Sequence, residues 1–127
     1  MYRIASRTLP TSTVRVKNSI VYCEHPTSSK ERETGLKGRD FLFDNRGMLF
    51  DTYGQYRPLF TMSDVLINLE AIFVGNDMCV KDIVFMQRLN SSTAYTTSLR
   101  VPIRWVIEVN AGWCDKHNIS VGDKVIL

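Results

Sequence analysis

Three carboxylates, Asp64, Glu70 and Glu108, are the side chains of this sequence best suited to chemistry. Glu108 interrupts a run of β-forming residues, and Glu70 lies between Leu69 and Ala71, so both belong to extended segments. Two carboxyl groups can divide acid and base work when their surroundings separate their pKa values. The alternative is that each faces solvent or pairs with an arginine such as Arg57, Arg100 or Arg104, the ordinary role of a charged residue. No pocket-forming pattern surrounds them, which favours the structural role.

Other constellations are thinner. Cys114 and His117 stand three apart, a spacing that puts two side chains on one helix face. A zinc site needs three or four ligands, and no Cys-x-x-Cys or second His cluster supplies the rest. No metal and no cofactor is expected. Gly35 and Gly38 follow a helix signal instead of preceding one, so they do not form a phosphate-cradling loop. A nucleophilic set of Ser, Cys or Thr beside an oriented base is not spelled out, and no catalytic residue is assigned. The run Tyr53-Gly54-Gln55-Tyr56-Arg57 has the aromatic and arginine content of a protein-contact site, with Tyr53, Gln55, Tyr56 and Arg57 as its contact residues.

The chain that must carry these groups has 127 residues, enough for one core without disulfide or metal support. Its net charge of +3 is far from the clustered basic stripe of a nucleic-acid binder. The basic-looking stretch from Lys30 to Arg39 is interrupted by Glu31 and Glu33 and reads as a solvated helix face. Three cysteines, Cys23, Cys79 and Cys114, are an odd set without disulfide-framework spacing. The first residues lack the apolar run of a signal peptide, and no stretch approaches the roughly 20 apolar residues of a membrane helix. These features lead to an expectation of free thiols and a location in the cytoplasm or in an assembled virion.

The positioning elements are mostly strands. Residues 2–4 and 13–16 read as extended pieces, and Ile20-Val21-Tyr22-Cys23 as a strand rich in β-formers. Ser28-Ser29-Lys30-Glu31 has the form of a capping box opening a short, polar, peripheral helix that ends near Gly35. Gly47-Met48-Leu49-Phe50 reads as a strand, and Asp51 to Pro58 as a turn-rich loop. Segments 68–74 and 78–86 flank Gly75-Asn76-Asp77, a hairpin signal because such residues tolerate positive φ. Residues 87–98 form the longest loop. Trp105, Ile107 and Val109 alternate with Arg104, Val106 and Glu108, the pattern of a half-buried strand. A second short helix, introduced by Asn110, covers Ala111 to His117, and Val121 to Leu127 close the chain. The expected fold is mainly β (α+β), a compact antiparallel barrel or curled sheet with two short helices. Residues 1–19 form an N-terminal arm with the first extended pieces, and 20–127 a single β-rich domain. The expected core holds Phe50, Ile72, Phe73, Val84, Trp105, Ile107 and Trp113, with Met48, Leu69 and Val125 beside them.

Several segments together resemble a family catalogued as domain of unknown function number 192. They are Glu31 to Arg39, Gly47 to Phe50, Phe60-Thr61-Met62, Leu66 to Val74, Glu108 to Trp113 and Gly122 to Val125. The resemblance implies a small, mostly β domain from about Ile20 onward. The family typically reads Phe-Trp-Met-Lys-Asn-Thr where this chain has Phe60-Thr61-Met62-Ser63-Asp64-Val65. A polar site in that segment would here lack its positive charge.

These readings lead to a non-catalytic structural or protein-interaction module, an accessory component of a larger assembly such as a virion. Its partners would be other protein chains, in a homo- or hetero-oligomeric assembly, with neither membrane nor nucleic acid. A small-ligand or peptide-binding module using residues 51–62 and the 87–98 loop is the alternative. A carboxylate-based hydrolase using Asp64, Glu70 or Glu108 ranks third.

Overall fold

The computed structural model describes residues 9–127. The extended piece expected at 2–4, and most of the N-terminal arm, lie outside the described residues. Nine strands and two short helices follow in the order β1 (Thr11–Val16), β2 (Ser19–Glu24), α1 (Ser29–Thr34), β3 (Arg46–Tyr56), β4 (Phe60–Thr61), β5 (Leu69–Gly75), β6 (Val80–Met86), β7 (Ala94–Tyr95), β8 (Pro102–Asn110), α2 (Trp113–Lys116) and β9 (Val125–Ile126). Seven of the strands form a curled, half-barrel sheet in the order β6-β5-β8-β3-β2-β1-β9, and β4 pairs with β7 in a small second sheet. The mainly β fold with two short helices is as expected. One pairing differs from the antiparallel expectation: β2 runs parallel to β3, with Cys23 opposite Gly47. Thr11–Val16, which contains the extended piece expected at 13–16, is a strand of the main sheet, paired along its length with β2.

The hairpin joins β5 to β6 where the sequence signalled it. Its positive φ falls on Met78 (60°), however, and not on Asn76 or Asp77. Asp77 instead fixes the turn through its side chain, which accepts from the Cys79 amide at 3.1 Å. The capping box forms as written: Glu31 N–H donates to Ser28 Oγ at 3.0 Å, and Ser28 N–H to the Glu31 carboxylate at 3.1 Å. The second helix is four residues long and begins after Gly112, at φ 90°, not at Asn110. Asn110 has a different task, since its amide donates to the Leu42 carbonyl at 2.7 Å.

The central strands are buried on both faces. Leu49, Ile107 and Ile72 are cross-strand partners and share one face with Val14, Val16, Val21 and Trp113. Met48, Glu108 and Ala71 are partners on the other, with Phe50, Leu69, Phe73 and Val106. Leu36, Met62 and Val65 cover this second face. The half-buried reading of β8 is therefore corrected: Val106 and Glu108 are as enclosed as Ile107 and Val109. Gly47 lies where β3 passes closest to β8, and a Cβ there would stand 2.6 Å from the Glu108 carbonyl oxygen.

Two expected core residues lie partly outside it. Trp105 is half-buried because its outer face is covered by side chains alone. The Arg104 guanidinium lies 4.3 Å from its ring centroid, and the His25 ring meets its edge. Val84 sits half-buried on β6, an edge strand. Asp51 to Pro58 is not a turn-rich loop either; β3 continues to Tyr56 through a register shift between Asp51 and Gln55.

Cys23 and Cys114 are buried free thiols, whereas Cys79 is half-buried. Burial, reinforced by the neighbouring Glu24 carboxylate, pushes the Cys23 thiol up to about 12. Burial and then Glu70 push Cys114 upward as well. The thiolate is the reactive form. Iodoacetamide at neutral pH is therefore expected to label Cys79 first, with Cys23 and Cys114 labelled only after denaturation. Mass spectrometry of timed samples reads this directly, and equal labelling rates for Cys79 and Cys114 would contradict it.

Candidate functional site

β3 and β8 set the geometry of a pocket of about 630 Å³ on the second face of the sheet. Because Met48 pairs with Glu108, the strand period of two carries Glu108, Val106 and Phe50 to that same face. Leu36, Phe50, Thr52 and Glu108 are its buried lining, and Tyr53, Gln55, Arg57 and Leu59 its exposed lining. α1 and the turn after it close the other side with Arg32, Gly35 and Lys37.

Glu108 is the unusual member. It is 6 % exposed, and among the described residues no ion pair includes it. Burial alone pushes its carboxyl from an ordinary 4.5 to about 8. It is thus mostly a neutral acid at pH 7, with an O–H to donate. The nearby Thr52 hydroxyl is already committed, donating to the Ile103 carbonyl.

The irregular end of β3 supplies the mouth. Tyr53 (φ 56°), Gly54 (φ 78°) and Arg57 (φ 48°) all adopt left-handed backbone, which is uncommon for residues other than glycine. A bulge of this kind turns side chains away from the strict alternation of a strand. Asp51 anchors it: its carboxylate accepts from the Tyr53 amide at 2.9 Å and pairs with Arg104. Tyr53 in turn holds Arg32, whose Nη2 donates to the tyrosine hydroxyl at 2.9 Å. The Arg32 Nε is buried and unpartnered. Arg57 donates through Nε to the Thr97 carbonyl at 3.1 Å.

The residues named from sequence separate into those the structure gathers and those it does not. Glu108 joins Tyr53, Gln55 and Arg57 in one pocket, whereas Tyr56 faces solvent outside it. The proposal that Glu108 faces solvent or pairs with an arginine is overturned by its enclosure. Glu70 lies on the opposite face, where it accepts from the Gly112 and Cys114 amides at 2.9 and 3.1 Å and holds the start of α2. Asp64 is exposed, and its carbonyl accepts from Gly38 N–H at 2.9 Å. The alternation of β5 and β8 puts Glu70 and Glu108 on opposite faces, and neither Asp64 nor Glu70 lines the pocket that holds Glu108, so the three carboxylates do not form one site. Cys114 and His117 do not form a pair: His117 Nδ1 lies 3.0 Å from Ser19 Oγ, and its ring packs against Trp113 at 4.3 Å. Among the described residues no three His, Cys, Asp or Glu side chains could hold a metal together, and no helix is long and apolar enough to cross a membrane.

Arg32 and Lys37 are the site residues that sequence reasoning missed. The helix read as peripheral does bury none of its own residues. It nevertheless walls the pocket, because Leu36, fully buried just beyond it, pins its C-terminal end onto the sheet. A lone leucine behind a glycine at the end of a polar helix was the available signal.

A family model for DUF192, described as an uncharacterized ACR, matches residues 12–127. No curated protein matches the chain. Among solved structures, a protein of unknown function from Novosphingobium aromaticivorans DSM 12444 is similar at a TM-score of 0.85 and 29% identity, over 94% of this chain and 86% of the other. A candidate transcription regulator from Sinorhizobium meliloti 1021 shares the fold at a TM-score of 0.83 and 22% identity, over 96% of this chain and 97% of the other.

Proposed function

The chain belongs to the DUF192 family, and from that premise we propose that it is a non-catalytic binding module that takes a small organic ligand into the pocket between α1 and the β3 bulge. One observation carries this reading: a carboxyl group, 6 % exposed and in no ion pair among the described residues, lines a pocket of about 630 Å³. A buried carboxyl that holds its proton is a hydrogen-bond donor, and a ligand acceptor would satisfy it. The volume falls within the range of small-molecule sites, and the mix of apolar wall with a few polar groups is their usual composition. Of the carboxylates on the lining, Asp51 is paired with Arg104 and Glu33 is exposed, which leaves Glu108 as the buried one and favours binding over a two-carboxylate glycoside hydrolysis.

The test is a fragment screen followed by amide chemical shifts. Binding fragments should move the amides of Arg32, Gly35, Tyr53 and Glu108 together. Fragments that bind only elsewhere, or none at all to the folded protein, would sink the reading. A second reading, attachment to other protein chains, has one observation in its favour. Phe41 and Phe43 are 60% and 64% exposed, and their rings meet edge to face at 5.1 Å, an apolar pair of the type found in contact sites.

A further inference from the structure

We propose that the ligand is a small amphipathic anion, with its negative group at the Arg32–Lys37–Arg57 mouth and a neutral hydrogen-bond acceptor at the inner end against Glu108. This rests on the pocket-binding reading and specifies its chemistry. Matching molecules are aryl or acyl carboxylates and phosphates that carry a carbonyl-type oxygen at the end opposite the charge.

Charge at the mouth sets the first half of the argument. Arg32, Lys37 and Arg57 line the pocket, and among the described residues none is in an ion pair. The acids on the same lining offset them only in part. Asp51 is neutralised by Arg104, and Glu33 is exposed. Arg32 is also positioned in advance: its Nη2 donates to the Tyr53 hydroxyl at 2.9 Å. A guanidinium held in one orientation suits a planar oxyanion.

The second half concerns the inner end. Glu108 shares its face with Met48, Ala71 and Val106, an apolar surrounding that offers no countercharge to a carboxylate. There the group is a donor, and it calls for an acceptor. Phe50, Phe60, Leu36 and Val65 also line the pocket, an apolar wall that a ring or short acyl chain would cover. A cation would meet a net positive charge at the mouth before reaching Glu108.

Three probes of one shape separate the terms: 4-acetylbenzoate, 4-isopropylbenzoate and 4-acetylbenzylamine, titrated at pH 7 against the full chain by chemical shift. The acetyl carboxylate should bind at the pocket. Loss of the acceptor in the isopropyl analogue should weaken binding about fivefold to tenfold. Reversal of charge in the amine should weaken it roughly tenfold or more. Arg32→Gln and, as a separate variant, Lys37→Gln should each weaken the carboxylate several-fold, with amide spectra confirming that both remain folded. An amine that binds as well as the carboxylate overturns the anion assignment, and equal binding of both benzoates overturns the acceptor assignment. If all three probes fail while uncharged fragments still shift the pocket amides, the ligand class falls and the pocket reading stands. If nothing shifts those amides, the pocket reading itself falls.

Discussion

A Glu108→Gln protein is expected to be more stable than the parent at pH 9, and to lose the parent's decline in stability across the neutral range. In the unfolded chain this carboxyl releases its proton at an ordinary 4.5, whereas in the folded protein burial holds the proton to about 8. Between those values the unfolded state binds fewer protons than the folded one, so stability falls as pH rises. The slope is about 1.4 kcal/mol per pH unit, and the whole window amounts to roughly 4–5 kcal/mol. Below 4.5 the contribution is fully present; above about 8 it is gone. Glutamine occupies the same space without a charge at any pH and removes the linkage. The carboxyl groups of Glu31 and Asp77 are held below their ordinary values by hydrogen bonds, first from the Thr27 amide and from Lys81 respectively. Their effects therefore appear as pH falls below the window and leave it clear. Urea melts at pH 5, 7 and 9 read the difference. Parallel curves for parent and variant would show that Glu108 ionises as freely as an exposed carboxyl.

The sequence carried most of the sheet and half of the pocket. Gly47 to Phe50 and residues 68–86 were legible because strand period, β-branched content and a turn signal agreed. Glu108 stood out for the same reason, as a charge inside a β-forming run. Its burial without an ion pair among the described residues was not legible, because the wall facing it comes from α1, more than seventy residues away in the sequence. Tyr53, Gln55 and Arg57 were selected as exposed polar and aromatic residues. Gly54 made the segment read as a loop, and only the pairing of β3 with β8 shows a bulged strand that delivers them to a pocket. Alternation with Ile107 and Val109 placed Trp105 in the core, where it is only half-buried. Near the start of β8, cover comes from Arg104 and His25, neighbours that alternation alone does not name.

Phe73 ties the pocket wall to the centre of the sheet, and its truncation is the packing change expected to cost most. Its side chain is fully enclosed on β5, between Val106 of β8 and Asp82 of β6. Its ring meets that of Phe60 at 6.2 Å, and Phe60 meets Phe50 at 5.3 Å, both edge to face. The last two line the pocket, so Phe73 is the layer behind the apolar wall. Phe73→Ala removes a ring from a site that close-packed strands hold open, and about 3–5 kcal/mol should be lost. Phe73→Leu keeps most of the volume and should lose less than about 1.5 kcal/mol. Urea midpoints should move in that order with the slope unchanged, since neither variant alters the surface exposed on unfolding. A loss under about 1 kcal/mol for alanine would mean that Phe60 and its neighbours collapse into the vacated space. The wall would then be soft, and the pocket's shape would be set by its ligand instead of by the sheet.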